Sequence, residues 1–441
     1  MGHTTMKKIV FILLVSISGF LHSQSLYFPP LTGSTWDTIS VSSLGWCQDK
    51  MDSLLSFLGR ENTKAFILLK NGKIVTEKYY GTFTKDSLWY WASAGKTLTG
   101  FTVGIAQQEG YLSIHDSSSK YLGTGWTSCP PAKEKLITVK NQLSMNTGLD
   151  DGVPDPDCTL NTCLQYLSDA GTRWAYHNAP YTLLDQVIQN ATGTTLNAYV
   201  NTRIKTKTGM DGFYSNTGYN NVYYSKARSM ARFGLLLLNK GVWNTTPVLS
   251  DTAFFNQMTN TSQSLNLSYG YLTWLNGKSS FMVPQLQLVF PGKLMPNAPD
   301  DAFFALGKNG QFISVYPAQK VVFIRMGNAP TSALVPFALN DSICRRLNEV
   351  MCSPTHQNSG LIEENTQIQV YPNPASDRVY LNLPFEHIQR IEIIDLSGKI
   401  IATEYKNNQI LVQKLSQGLY FLKCYTNKNT VYISRFLKQN P

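Results

Sequence analysis

Strand-forming sequence lies at both ends of the first roughly 350 residues of this chain, and helix-forming sequence fills the space between. Near the start, AFILL and KIVTEKYY flank Lys70-Asn71-Gly72, where Asn-Gly between apolar runs predicts a tight hairpin turn. Near the end, FFALGKNGQFISVYP and KVVFIRMG alternate or run apolar as strands do, before a helix expected from about Leu334 to Cys352. Between them, Ala94, Leu98, Phe101 and Ile105 recur at helical spacing and stop near Gly110. A second helix is expected after Pro180, with Leu183, Leu184, Val187, Ile188 and Ala191 on one face and Gly193 as its stop. A third runs through YSKARSMARFGLLLLNKG. Strands that are far apart in sequence but share one sheet must be brought together by the terminal elements. The fold class is therefore α+β, an antiparallel sheet flanked by helices with a helical insert.

Two further segments frame this domain. Lys7 and Lys8 precede an apolar run from Ile9 to Leu21, followed by His22-Ser23-Gln24, which is the pattern of a secretory signal peptide over residues 1–24. The run is too short to span a bilayer comfortably, and no later segment reaches the apolar length of a span. After the domain of residues 25–352, residues 353–366 are polar and carry Pro, Gly and Ser, as a linker does. Residues 367–441 then alternate with a period of two (RVYLNLP, LYFLKCYTN, TVYISRFLK), so a small all-β sandwich is expected.

The formal charge of +10 suggests nucleic acid until it is divided. The signal carries two lysines, and residues 367–441 hold nine basic and five acidic residues. Glu363 and Glu364 fall in the linker. The remaining +6 is mixed in sign along the main domain, with no basic run interleaved with aromatics, so no nucleic-acid partner is expected. The seven cysteines form no C-x-x-C or Cys/His pattern, which argues against a metal, and no cofactor motif occurs. In an exported chain they are expected to pair as disulfides. Cys158 and Cys163 are placed to close on each other. All six cysteines of the main domain together allow 15 connectivities, among which the sequence does not choose, and Cys424 stands apart.

Chemistry concentrates in three short segments. In WYWASAGKTLTG, Ser93 and Lys96 lie one helical turn apart at a helix start, where backbone N–H groups and the dipole favour developing negative charge. A lysine buried there can lose its proton and serve as a base. The pair alone reads more simply as a cap and a solvated lysine, and Ser117 to Lys120 repeats its spacing. Tyr176-His177-Asn178 precedes the second helix. Lys308-Asn309-Gly310 reads as a cation and a glycine inside a strand, with Gln311 beyond. The other hydrolase patterns, G-x-S-x-G and H-E-x-x-H, are absent, and the main domain holds only His115 and His177. His115 reads as structural.

In this order, SAGK, YHN and KNG resemble the S-x-x-K, Y-x-N and K-T-G segments of the serine β-lactamase and penicillin-binding-protein-like hydrolases. The likeness is to the class C-type branch, which includes esterases, D-aminopeptidases and 6-aminohexanoate-dimer hydrolases. It extends over about residues 45 to 350 and includes QLSMNTGL, NAPYTLLDQVIQNATG and ARFGLLLLNKG. Tyr214-Ser215-Asn216 and Tyr199-Val200-Asn201 also spell Y-x-N, but the Pro-started helix ending in ATG follows Tyr176. Lys70-Asn71-Gly72 duplicates the third segment but precedes Ser93. The resemblance implies acyl transfer through Ser93, with Lys96 and Tyr176 moving its proton and the backbone N–H groups of Ser93 and Gln311 holding the oxyanion. Asn178 would orient the substrate or Lys96, and Lys308, with Asn309 and Gly310, would face the substrate's polar end. Asn309 and His177 depart from penicillin-recognising members, so the implied substrate is a small-molecule ester, amide or peptide, with D-amino-acid peptides and β-lactam-like rings left open. Specificity would reside in the loops at Cys158–Cys163, 210–225 and 270–300.

VYPNPASDRVYLNLP, IEIIDLSGKII and LSQGLYFLK resemble the C-terminal sorting domain of type IX secretion. This likeness implies export by the signal peptide and then across the outer membrane, with the secretion machinery as partner and a secreted or cell-surface location. Competing readings of the main domain are a silent penicillin-binding-type recognition module and an adhesion scaffold.

Overall fold

The computed structural model describes residues 26–329, 333–352, 370–381, 388–395, 399–401, 405–406, 409–426 and 431–439. The expected signal peptide and linker lie outside the described residues. Helix α1 (Gln48–Arg60) leads into strand β1 (Thr63–Lys70), and β2 (Lys73–Tyr79) returns beside it through the Lys70-Asn71-Gly72 hairpin. Asn71 and Gly72 both take positive φ, 51° and 81°, as a turn of this kind demands. The chain re-enters the sheet about 200 residues later with β3 (Trp274–Leu275), β4 (Phe303–Gly307), β5 (Gln311–Tyr316) and β6 (Val321–Gly327).

The six strands order as β2-β1-β6-β5-β4-β3, every pair antiparallel. β1 lies against β6, with Thr63 opposite Gly327 and Lys70 opposite Val321. The expected closure of the sheet by terminal elements is what the fold contains. Because β4, β5 and β6 are buried along their whole length, they read as near-continuous apolar runs rather than clean alternation.

The longer of the other helices are α2 (Gly95–Gln108), α3 (Leu184–Thr192, stopped by Gly193 at φ 65°), α4 (Ala227–Leu238) and α5 (Phe337–Val350), and α3 packs against α2. α4 lies across β1, β5 and β6, while α5 pairs with α1. A short three-stranded sheet of Trp89–Tyr90, Phe213–Thr217 and Asn220–Ser225 stands beside the start of α2.

A disulfide joins Cys47 to Cys352, and a second closes Cys158 on Cys163. The expectation of wider pairing in the main domain is corrected, because Cys129 and Cys344 are buried thiols; Cys424, which stood apart in the sequence, is a buried thiol too. Burial pushes the Cys344 and Cys424 thiols up, so both stay protonated. In the C-terminal region two four-stranded antiparallel sheets share one apolar cluster, with Val379, Leu381 and Ile410 from one sheet against Ile393, Leu422 and Phe436 from the other. Among the described residues no helix is long and apolar enough to cross a membrane.

Candidate active site

Ser93 is presented by a turn anchored on a tryptophan. Trp91 is fully buried, its backbone N–H donates to the Tyr223 carbonyl at 2.8 Å, and its indole donates to Ser225 Oγ at 2.8 Å. Ala92 then takes φ 46°, a left-handed conformation that an L-residue adopts at about 1–2 kcal/mol. The chain turns through Ala92–Ala94 and enters α2 at Gly95.

Lys96, in the first turn of α2, is 3% exposed and donates to Ser93 Oγ at 3.0 Å. Its ammonium lies 4.1 Å from the Tyr181 ring centroid and 5.1 Å from that of Tyr176. Loss of water pushes its pKa down to about 7, against the opposing pull of the Asp157 and Asp185 carboxylates. Near neutrality, therefore, an amine with a free lone pair is available beside the serine.

Tyr176 is 7% exposed and stacks on Trp274 with 5.5 Å between ring centroids. Burial raises its pKa, and hydrogen bonding to Ser93 and Trp274 works the other way. The other two Y-x-N tyrosines point elsewhere. Tyr214 meets Thr99 Oγ1 at 3.1 Å, one turn beyond Lys96 on α2, and Tyr199 donates to Glu109 at 2.8 Å, past the far end of that helix. The repeated Ser-x-x-Lys segment is spent on the surface, where Lys120 pairs with Asp116 at 2.8 Å. His115 is exposed on a loop.

Asn178 opens the short helix Asn178–Thr182, and its Nδ2 donates to Asp157 Oδ1 at 2.7 Å. Its Oδ1 is enclosed without a protein partner among the described residues. His177, 2% exposed, likewise has no partner on either ring nitrogen, and burial lowers its pKa to about 4. Asp185, one helical turn after Tyr181, accepts from Asn221 at 2.8 Å, and burial raises its pKa.

The third segment corrects the sequence reading. Lys308-Asn309-Gly310 is not inside a strand but is the turn between β4 and β5, with Asn309 at φ 61° and Gly310 at φ 78°. Asn-Gly makes a turn here for the reason it does at Asn71-Gly72. Lys308 is exposed, and Asn309 Nδ2 donates to the Tyr90 hydroxyl at 2.6 Å. Gln311 is fully buried and its amide bonds both ways to the Gly327 backbone, Nε2 to O at 2.6 Å and N–H to Oε1 at 3.0 Å. Its side chain is thereby tied to the end of β6.

Sequence reasoning missed two residues that shape this corner. A Cβ at Gly307 would lie 2.6 Å from the Trp91 carbonyl and 3.0 Å from the Ser93 nitrogen, so the end of β4 abuts the serine's own turn. A glycine inside the strand pattern ALG was the available signal. Arg325, fully buried on β6, donates to the carbonyls of Asn309 (3.2 Å), Gly310 (2.8 Å) and Glu61 and to Thr63 Oγ1 (2.9 Å), pinning the turn from beneath. Burial lowers its pKa to about 10, against the opposing pull of the Glu61 carboxylate. Among the described residues no group of three or more His, Cys, Asp and Glu side chains is placed to hold a metal.

The family profile described as Beta-lactamase matches residues 60–341. The chain belongs to the beta-lactamase family. Residues 369–439 match the secretion system C-terminal sorting domain, a tail that directs its carrier through the type IX machinery to the outside or the cell surface. This beta-lactamase-family chain is 23% identical over 299 residues to an uncharacterized protein of Alkalihalophilus pseudofirmus, covering 59% of this chain and 82% of that one. Against Protein flp of Staphylococcus aureus it is 26% identical over 157 residues, so it spans only 31% of that relative's length. Two structures share the fold. A candidate 6-aminohexanoate-dimer hydrolase from Bacillus anthracis has a TM-score of 0.54 at 18% identity, covering 74% of this chain and 91% of that one. A family VIII carboxylesterase has a TM-score of 0.51 at 15% identity, covering 68% and 96%.

Proposed function

We propose that this beta-lactamase-family protein is an exported serine hydrolase that cleaves an ester or amide through an acyl-enzyme on Ser93. The observation that carries this reading is the buried Lys96, whose ammonium is 3.0 Å from Ser93 Oγ and held near a pKa of 7. In the proposed cycle neutral Lys96 takes the serine proton as Oγ attacks the carbonyl, and Tyr176 passes it to the leaving group. The Ser93 and Gln311 backbone N–H groups stabilise the oxyanion. Asn178 and the Lys308-Asn309-Gly310 turn contact the substrate on either side. Water, activated through the same pair, then releases the acyl group and restores Ser93. In this reading residues 25–352 form the hydrolase, residues 1–24 are removed as a signal, residues 353–366 link, and residues 367–441 sort.

Intact-mass analysis after reaction with a fluorophosphonate tests the reading. One adduct on Ser93, absent from Ser93→Ala, is expected. No adduct, or one equally present in the variant, refutes the hydrolase and leaves a silent recognition module or an adhesion scaffold. Export is tested by deleting residues 367–441, which should trap the protein in the periplasm; unchanged export would remove the sorting role.

A further inference from the structure

Between β3 and β4 the chain forms a short hairpin whose two sides meet different partners. Ser280–Phe281 pairs with Phe290–Pro291, and a ribbon this short is not stable unaided. One side is tied to the main domain. Met282 lies in the main core, its N–H donates to Asn266 Oδ1 at 3.0 Å, and Ser268 Oγ donates to the Ser280 carbonyl at 2.9 Å. At the tip, Gln287 Nε2 donates to the Trp174 carbonyl at 2.9 Å. The Trp174 ring lies 6.4 Å from that of Tyr176 and 6.1 Å from that of Trp274, the ring on which Tyr176 stacks. The hairpin tip therefore touches the aromatic wall of the candidate active site.

The other side of the hairpin is covered by the sorting domain. Phe290 meets Phe421 with ring centroids 4.6 Å apart, and Leu286, Phe290, Ile394 and Phe421 form one buried apolar cluster. In the strand Gly418–Thr426 alternate side chains divide between two partners. Tyr420, Leu422 and Cys424 enter the sorting domain's own core, whereas Leu419 and Phe421 turn to the hairpin. Ile394 stands opposite Phe421 in the neighbouring strand Ile388–Ile394. This sheet is thus apolar on both faces, and its second face covers apolar side chains that the main domain would otherwise expose.

We propose that this hairpin is the seat of the sorting domain, and that the seated domain clamps the hairpin against Trp174 and narrows the way to Ser93 until it is displaced or removed. With Phe421 and Ile394 gone from its outer side, the hairpin loses the packing that opposes opening. Its tip then keeps the Gln287 hydrogen bond to Trp174, and Gln287 is exposed, so water competes for that bond. The seat does not depend on what Ser93 does. The narrowing rests on the serine hydrolase reading and adds to it a control by the tail.

The test uses the full-length protein and its Phe421→Asp variant. Hydrogen exchange at residues 280–291 should speed up by about tenfold or more in the variant, with β4, β5 and β6 unchanged. Exchange at Val431–Lys438 reports whether the sorting domain is still folded, and Phe290→Ala, which leaves that domain untouched, should release the same hairpin amides. Labelling of Ser93 is then compared between a small and a bulky fluorophosphonate, and the bulky-to-small rate ratio should rise by about fivefold or more in Phe421→Asp. Unchanged hairpin exchange in both variants overturns the seat. Faster exchange with an unchanged ratio overturns the clamp and leaves the hydrolase standing. Hairpin protection that grows with protein concentration, with a dimer in light scattering, puts a second copy on the hairpin and overturns the seat as well. No label from either probe refutes the hydrolase, and the exchange result still decides the seat.

Discussion

Replacing Lys96 by methionine should make the protein more stable and inactive at once. The ammonium is 3% exposed, with two tyrosine rings for neighbours and one hydrogen bond to a serine. Its pKa falls from 10.5 to about 7, a displacement of about 3.5 on the pH scale, and at about 1.4 kcal/mol each this amounts to about 5 kcal/mol of burial penalty. The sign follows from proton counting. Between about 7 and 10.5 the unfolded chain holds a proton that the folded one has lost, so native stability rises with pH across that window; below it both hold the proton and the penalty is borne in full. Methionine fills a similar volume without the charge. Lys96→Met should therefore raise the unfolding free energy at pH 6 by at least about 2 kcal/mol, allowing for the lost hydrogen bond, and the gain should shrink steadily towards pH 10. Urea unfolding followed by tryptophan fluorescence at several pH values measures this directly. A destabilised variant, or a gain that does not change with pH, would show that burial is not what lowers the lysine's pKa.

The same lysine sets the pH dependence of acylation: labelling of Ser93 by a fluorophosphonate should fall about tenfold per pH unit below about 7, as the base becomes protonated. Gly307→Ala would put a methyl 2.6 Å from the Trp91 carbonyl and 3.0 Å from the Ser93 nitrogen, so labelling should slow by tenfold or more, with a lower melting temperature. Arg325→Leu leaves the Asn309, Gly310 and Glu61 carbonyls without their donor and should cost about 3 kcal/mol in urea unfolding, more than a surface arginine would. Cys352→Ser opens a loop of sequence separation 305 and should cost on the order of 5 kcal/mol by chain entropy, seen as a lower melting temperature under non-reducing conditions.

The sequence was most informative where local physics decides the outcome. The Lys70-Asn71-Gly72 hairpin, the helix after Ser93 and the stop at Gly193 follow from turn chemistry and apolar spacing, and all three are present. The same turn rule applied to Asn309-Gly310 would have predicted the second hairpin. Reading that triplet as a strand motif overrode a local signal that was correct. Gly307 was legible in the same way, as a glycine in an otherwise bulky strand. Long-range relations were not legible. Nothing local joins Arg325 to Glu61, Asp157 to Asn178, or Cys47 to Cys352, because each partner is chosen by a fold that must already exist. Of the disulfides, only the short Cys158–Cys163 closure could be read from spacing.

The Cys47–Cys352 bond has a mechanical consequence. It joins the residue just before α1 to one just after α5, and the Cys47 N–H also donates to the Val350 carbonyl at 2.9 Å. Tension applied between the N-terminal segment and the C-terminal tail would run from Cys352 to Cys47 through one covalent link. Helix α2 and Ser93 lie in the loop closed by that link, whereas the segment before Cys47 is held to the edge strand β2 by Ile39–Ile74 and Trp36–Gly72 hydrogen bonds and would take the load there first. A chain hauled by its tail or held at a surface under flow would then load the Cys47–Cys352 link and the β2 edge before it loaded the turn that carries Ser93.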